Sequence, residues 1–116
     1  MDESAVRDVL NAERAATLAR IRALQADLDA IVDASTDSNA DDEHDPEGST
    51  IAYERAQVAA LLAGAQSNLR DLDYALDRLS AGSYSVCERC LTQISAERLA
   101  ALPAGRTCFD CANNEI

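Results

Sequence analysis

The chain has 116 residues, a formal net charge of −11, 3% aromatic residues and no Trp. Such a negative field disfavours binding to nucleic-acid phosphates and to anionic membranes, and it favours a basic protein surface or a cation. No apolar run approaches the roughly 20 residues of a membrane span, and the acidic start Met1-Asp2-Glu3 lacks the apolar core of a signal peptide. We therefore expect a cytoplasmic protein with no direct DNA binding and no membrane association.

The first third of the chain predicts a long helix with one apolar seam. Apolar residues recur in alternating steps of four and three, which is the spacing of a coiled coil. Arg14 fits the seam badly, and Thr17 is only partly apolar. The seam positions are Leu10, Thr17, Ile21, Leu24, Leu28 and Ile31.

A second and more regular seam predicts a second long helix, with Arg55 in its one missing slot. Asp45 suits the N-cap and Pro46 the first helical position, while Ser49 is a competing N-cap. Gly82 suits the left-handed residue that ends a helix. The seam positions are Ile51, Val58, Leu62, Ala65, Leu69, Leu72, Leu76 and Leu79.

The two seams predict an antiparallel hairpin, because no third long helix is expected to cover either of them. A core face of some other helical bundle is the plainer interpretation of each seam taken alone. Each helix of about 30 residues would be roughly 45 Å long. Matching the seams pairs Ile31 with Ile51, Leu24 with Val58 and Leu10 with Leu72.

The segment that joins the two predicted helices is strongly acidic. Seven acidic residues and no Lys or Arg lie between Asp33 and Glu47. A solvated loop is the commoner interpretation of such a run. The functional alternative is a carboxylate cluster that meets a metal ion or a basic surface of a partner. His44, the single histidine, is expected to be exposed rather than a ligand. The candidate tip residues are Asp41, Asp42, Glu43, Asp45 and Glu47.

All four cysteines lie near the end of the chain, as Cys87-x-x-Cys90 and Cys108-x-x-Cys111, with 17 residues between the pairs. Each Cys-x-x-Cys motif predicts a tight turn, and two such turns supply the four sulfurs of a tetrahedral zinc site. In a reducing compartment this pattern favours a metal site over disulfides. A shell of four thiolates leaves no open position for water, so we expect one structural Zn²⁺ and no enzyme.

Between the cysteine pairs, Ser95 suits the N-cap of a short helix that Pro103 ends. The apolar residues of this part are too few for about 30 residues to fold without a metal. The sequence thus predicts a mainly α protein: a long antiparallel coiled-coil hairpin in residues 1–82, with its acidic tip at about 33–50, and a four-cysteine zinc-finger module in residues 83–116.

The zinc module closely resembles the DksA/TraR zinc-finger family, and the hairpin is similar in pattern to the longer DksA-like members. Characterised members bind bacterial RNA polymerase directly, the coiled coil enters the secondary channel, and acidic tip residues act near the catalytic magnesium region. The resemblance therefore implies RNA polymerase as the partner, transcription regulation as the function and ppGpp at the polymerase interface. It rests on Gly82-x-Tyr84-x-x-Cys87-x-x-Cys90, then Ile94, Arg98-Leu99-x-Ala101-x-Pro103 and Cys108-x-x-Cys111.

The sequence departs from the family pattern in two places. The DksA tip pattern is Asp-x-x-Asp-x-Ala, and in the match that begins at Asp45, Gly48 replaces the second acid and Thr50 the Ala. Glu47 or the acidic run 41–43 is a hypothetical substitute. Leu91 stands where many members have Gly after the second cysteine.

Two other functions compete with polymerase regulation. One is a thiol or zinc sensor that releases metal on oxidation, because thiolates are the nucleophilic form of cysteine. The other is a coiled-coil adaptor without an effect on transcription.

Overall fold

The computed structural model describes residues 2–37 and 46–114. Its helices are α1 (Glu3–Asp37), α2 (Pro46–Ala81), α3 (Ala96–Ala101) and α4 (Phe109–Asn113). The two long helices have 35 and 36 residues, somewhat more than the 30 expected. The described part of the chain holds one isolated antiparallel bridge, between Val86 and Gln93, and no strand. The predicted mainly α fold with two long N-terminal helices is confirmed.

The sequence explains where α1 and α2 begin. Asp2 is the N-cap of α1, since its Oδ1 accepts a hydrogen bond of 3.1 Å from the backbone N–H of Ser4. Helix α2 begins at Pro46, as predicted. The competing cap at Ser49 is wrong, because that residue lies inside the helix. Asp45, the other predicted cap, lies outside the described residues.

Helix α2 ends at Ala81, and Gly82 follows it in the predicted left-handed conformation. Gly82 has φ of 81°, which a residue without Cβ adopts at little cost. Its N–H donates to the carbonyl of Leu79 at 3.2 Å, and the N–H of Ser83 donates to the carbonyl of Arg78 at 2.9 Å. This pair of bonds is a Schellman motif, which satisfies the last carbonyls of the helix and turns the chain toward the cysteines.

The described chain divides into two compact units that do not follow chain order. Unit 1 combines the described parts of residues 1–16 and 69–116, and unit 2 comprises those of residues 17–68. The cysteine-containing segment therefore shares a unit with the start of α1 and the end of α2. The predicted boundary at residue 82, between a hairpin and a zinc module, divides the chain by sequence position and stays a prediction.

One apolar core holds unit 1 together. Its largest fully buried side chains are Leu10 of α1, Leu72 of α2, and Ile94 and Cys87 of the cysteine-containing segment. Complete burial of a Leu or Ile side chain stabilises a fold by about 1.5–3 kcal/mol. The predicted partners Leu10 and Leu72 do lie in the same core. The core consists of Leu10, Leu72, Ala75, Leu79, Tyr84, Cys87, Ile94 and Leu99.

Polar contacts between α1 and α2 in unit 1 run antiparallel. The Nη2 of Arg7 donates to the Oγ of Ser80 at 3.3 Å, and the Nε of Arg14 donates to Oδ1 of Asp73 at 2.6 Å. Residue numbers rise along α1 while they fall along α2, as in a hairpin. Arg14 interrupts the apolar seam, and the facing carboxylate of Asp73 accommodates it.

Unit 2 uses the rest of the predicted seams. Thr17, Leu62 and Ala65 are buried, and the Nδ2 of Asn68 donates to the Oγ1 of Thr17 at 3.3 Å. Arg55 is exposed. The half-buried seam residues are Ile21, Leu24, Leu28, Ile31, Ile51 and Val58. The pairs Ile31–Ile51 and Leu24–Val58 stay predictions.

Among the described residues, no helix combines the length and apolar character needed to cross a lipid bilayer.

Candidate metal centre

Backbone hydrogen bonds fold each Cys-x-x-Cys motif into a tight turn. In the first turn the N–H of Leu91 donates to the carbonyl of Cys87 at 3.0 Å, and the N–H of Cys87 donates to the carbonyl of Thr92 at 2.8 Å. In the second turn the N–H of Ala112 donates to the carbonyl of Cys108 at 3.0 Å. Helix α4 begins within this second turn. The two turns bring the sulfurs of distant cysteines together.

The four sulfurs lie close enough together to hold one metal ion. The Sγ atoms of Cys87, Cys90, Cys108 and Cys111 all lie within 4.8 Å of one another, and those of Cys90 and Cys108 are 3.7 Å apart. A tetrahedron with Zn–S bonds of about 2.3 Å has sulfur–sulfur edges of about 3.8 Å. All four cysteines are free thiols. Four soft sulfur ligands in this arrangement fit one structural Zn²⁺, which confirms the predicted cofactor.

The cysteines differ in their exposure. Cys87 is fully buried in the core of unit 1, Cys108 and Cys111 are half-buried, and Cys90 is exposed. The metal centre is thus attached to the core at one corner and reaches the surface at another. Because Cys87 belongs to both, the metal site and the apolar core form one structural element.

Hydrogen bonds and neighbouring sulfurs shift the pKa values of Cys87, Cys90 and Cys111 in opposite directions. Backbone N–H groups, that of Cys90 foremost, lower the pKa of Cys87 to about 6 despite desolvation. The Thr92 hydroxyl, 2.9 Å from the sulfur of Cys90, lowers the pKa of that thiol. The neighbouring sulfurs, first that of Cys108, raise the pKa of Cys111 to about 12. Four thiolates this close therefore need a cation, and a divalent metal ion supplies it.

A buried arginine joins α2 to both loops that lead into the cysteine turns. Arg78 is only 6% exposed, and its Nη2 donates to the carbonyl of Ser83 at 2.9 Å and to that of Val86. Its Nη1 donates to the carbonyl of Gly105 at 3.4 Å. Val86 directly precedes Cys87. Arg78 therefore holds the first cysteine turn against the helix.

A second group of side chains connects α2 with the first cysteine turn. Arg106 donates to Oδ1 of Asp71 at 2.7 Å, and its guanidinium lies 4.3 Å from the centre of the Tyr74 ring. The Tyr74 hydroxyl hydrogen-bonds to Glu88, and this bond raises the pKa of Tyr74. The N–H of Glu88 in turn donates to the carbonyl of Arg106 at 2.9 Å.

Helix α3 supports the loop that leads to the second cysteine pair. Ser95 is its N-cap, as predicted, and accepts a hydrogen bond of 3.1 Å from the N–H of Arg98. The Nε of Arg98 donates to the carbonyl of Thr107, the residue before Cys108, at 2.9 Å. Beyond the end of α3, the Tyr84 hydroxyl donates to the carbonyl of Pro103 at 2.7 Å.

Sequence reasoning did not anticipate these roles of Arg78, Tyr74 and Arg106. An arginine in the last turn of a helix ordinarily complements the helix dipole, which gives no sign of a buried contact.

The candidate tip falls almost wholly outside the described residues. That holds for Asp41, Asp42, Glu43, His44 and Asp45, and of Glu47 only the backbone is described, in the first turn of α2.

Residues 82–114 match the family of prokaryotic DksA/TraR C4-type zinc fingers. A 46-residue stretch is 46% identical to an uncharacterised protein of Aquifex aeolicus (strain VF5), covering 40% of this chain and 32% of that protein. A 73-residue stretch is 32% identical to the uncharacterised protein YteA of Bacillus subtilis (strain 168), covering 63% of this chain and 30% of YteA. The chain thus spans about a third of the length of these curated relatives.

The fold has a counterpart among solved structures. The structure of transcription factor DksA2 from Pseudomonas aeruginosa matches with a TM-score of 0.80 and 22% sequence identity, over 97% of this chain and 81% of that one. At this identity the likeness shows a common fold. The zinc finger at residues 82–114 is thus of the DksA/TraR type, as its cysteine pattern predicts, and 97% of the chain shares the fold of DksA2.

Proposed function

We propose that this DksA/TraR-family zinc-finger protein is a transcription regulator that binds bacterial RNA polymerase directly. The observation that carries the proposal is the combination of the finger at residues 82–114 with a DksA fold over 97% of the chain. The formal net charge of −11 supports a factor that reaches its target through a protein surface, because nucleic-acid phosphates repel such a chain. A regulator of this kind acts in the cytoplasm without a DNA site of its own.

In this proposal the α1–α2 hairpin enters the secondary channel of the polymerase. Helix α1 extends to Asp37 and α2 begins at Pro46, so the acidic segment connects two long helices. Its carboxylates act near the catalytic magnesium region, where cations and basic groups attract negative charge. Asp45 matches the first acid of the family tip, and the other candidates are Asp41, Asp42, Glu43 and Glu47.

The zinc centre has a structural role in this mechanism. The four cysteines hold the metal, and Arg78 and the apolar core connect the finger to the ends of α1 and α2. Loss of zinc should therefore abolish polymerase binding, because the finger would no longer support these helix ends. The proposal includes ppGpp as an effector at the interface with polymerase.

Transcription in vitro with the cognate polymerase tests the role of the tip. The zinc-loaded protein should change the transcript level at a sensitive promoter, and Asp45→Ala should reduce that change while polymerase binding persists. Asp8→Ala removes an exposed acid of α1 within unit 1 and is the matched charge control. If Asp45→Ala abolishes binding itself, the residue acts in docking or folding. If the bound wild-type protein leaves every transcript unchanged, the adaptor function replaces regulation.

One observation favours oxidative zinc release as a second candidate function. Cys90 is exposed, so an oxidant can reach a zinc-bound sulfur without unfolding the chain. Zinc release at low peroxide, followed with a colorimetric chelator, would support a sensor. Retention of zinc under mild oxidant would exclude it.

A further inference from the structure

Leu91 occupies an unfavourable backbone conformation without any compensating burial. Its φ is 64°, in the left-handed region that the Cβ of an L-residue disfavours and glycine adopts freely. Its side chain is 75% exposed. A large apolar residue that is both strained and exposed contributes little to the folding of the isolated chain, which is the combination expected of a residue that contacts a partner.

A second exposed apolar residue is attached to the same metal centre. Phe109 directly follows Cys108, as Leu91 directly follows Cys90, and the sulfurs of these two cysteines are 3.7 Å apart. The Phe109 side chain is 64% exposed. Single exposed apolar residues are ordinary on protein surfaces. Two large ones at neighbouring corners of a metal site, one of them on a strained backbone, indicate a contact surface.

The charge around this pair is negative. Glu88 and Asp110, both exposed, lie within the two cysteine turns, and zinc with four thiolates adds a formal charge of −2. Arg89 is the basic residue of the first turn, and its Nη1 donates to the carbonyl of Cys111 at 3.3 Å. An apolar surface with an acidic border is complementary to an apolar pocket with a basic border. The negative charge around Leu91 and Phe109 also repels nucleic-acid phosphates.

We propose that Leu91 and Phe109 form a docking surface that inserts into an apolar pocket bordered by Lys or Arg on RNA polymerase. This inference rests on the proposed function and adds a second contact, separate from the acidic tip. Aromatic anchors in desolvated pockets supply much of the affinity of protein interfaces. The docking surface thus provides affinity, while the tip acts on transcription.

Equilibrium binding of the full-length, zinc-loaded chain to the cognate polymerase tests the proposal. Leu91→Asn keeps a residue that tolerates the left-handed backbone but removes the apolar side chain, and Phe109→Ser removes the ring. Each should weaken binding at least tenfold, since burial of one large apolar side chain has an effect of that size. Leu102→Ser is the matched control, because Leu102 is 51% exposed and, unlike Leu91 and Phe109, does not adjoin a cysteine in the chain. It should change the dissociation constant less than twofold.

Zinc content and helical circular dichroism show whether each variant is folded. Unchanged affinity in the folded Leu91 and Phe109 variants would overturn the docking surface alone and leave the proposed function intact. A tenfold loss with Leu102→Ser would also overturn it, because the effect would then not be specific to the pair. No binding by the wild-type chain would overturn the proposed function together with this inference. Affinity that does not fall as salt rises from 50 to 300 mM would contradict the basic border.

Discussion

Replacing Arg78 with Met should destabilise the protein by about 2–4 kcal/mol, because the guanidinium holds the first cysteine turn on α2. Hydrogen bonds that involve a charged group contribute about 1.5–3 kcal/mol each. Arg78 makes two close ones, to the carbonyls of Ser83 and Val86, while that to Gly105 is long at 3.4 Å. Two bonds give roughly 3–6 kcal/mol, from which the cost of desolvating the buried cation is subtracted. Met retains the apolar stem and so isolates the effect of the charge.

Urea unfolding of the zinc-loaded protein, followed by circular dichroism, measures this loss. Arg70→Met is the matched control on the same helix, since Arg70 is exposed and its replacement should change stability by less than about 0.5 kcal/mol. Competition with a chelator should also show weaker zinc binding in Arg78→Met, because Val86 directly precedes Cys87. If Arg78→Met is as stable as Arg70→Met, the guanidinium does not hold the turn and the reasoning is refuted.

Four further predictions concern the finger and its core. Leu91→Gly should leave the free energy of unfolding unchanged or raise it by up to about 1 kcal/mol. The reason is that relief of about 1–2 kcal/mol of backbone strain is partly offset by the larger entropy of glycine in the unfolded chain. A clear loss of stability in urea unfolding would contradict the strain at Leu91. Ser95→Ala should lower stability by about 1 kcal/mol through loss of the N-cap of α3, and an unchanged urea midpoint would show that the cap is dispensable. Tyr84→Phe should lower it by about 1 kcal/mol, since the carbonyl of Pro103 loses its donor; thermal unfolding of the two proteins side by side checks this. Removal of zinc should accelerate amide hydrogen exchange at Leu10 and Leu72 more than tenfold, because they share a core with Cys87; unchanged exchange there would mean that the finger and the helix ends are independent.

Periodicity was sufficient to predict the buried face of both long helices. The seam placed Leu10, Leu62 and Leu72 inside, and all three are buried. The reason is that regular spacing of apolar residues along a helix encodes which face avoids water. Local chemistry likewise predicted the end of α2 at Gly82 and the cap of α3 at Ser95, because both depend on neighbouring residues in the chain.

Features that depend on contacts between distant segments were not predictable in the same way. Arg14 interrupts the apolar seam in the sequence, and only the structure shows that its guanidinium pairs with Asp73 of the facing helix. The burial of Arg78 depends on the carbonyls of Val86 and Gly105, which the sequence alone does not place beside the helix. The left-handed backbone of Leu91 was foreshadowed only by the glycine that many family members carry there. For the metal site, in contrast, the sequence was sufficient to identify the four ligands, because two Cys-x-x-Cys motifs at this spacing are typical of a zinc site.

The most direct test of the central claim is a competition experiment at RNA polymerase. Zinc-loaded protein is titrated against the cognate enzyme, and an established secondary-channel factor is then added as competitor. We predict binding at micromolar concentrations or below, displacement by the competitor, and loss of binding in the zinc-free protein. Absence of binding at micromolar concentrations, or binding that the competitor does not displace, would contradict entry of the hairpin into the secondary channel.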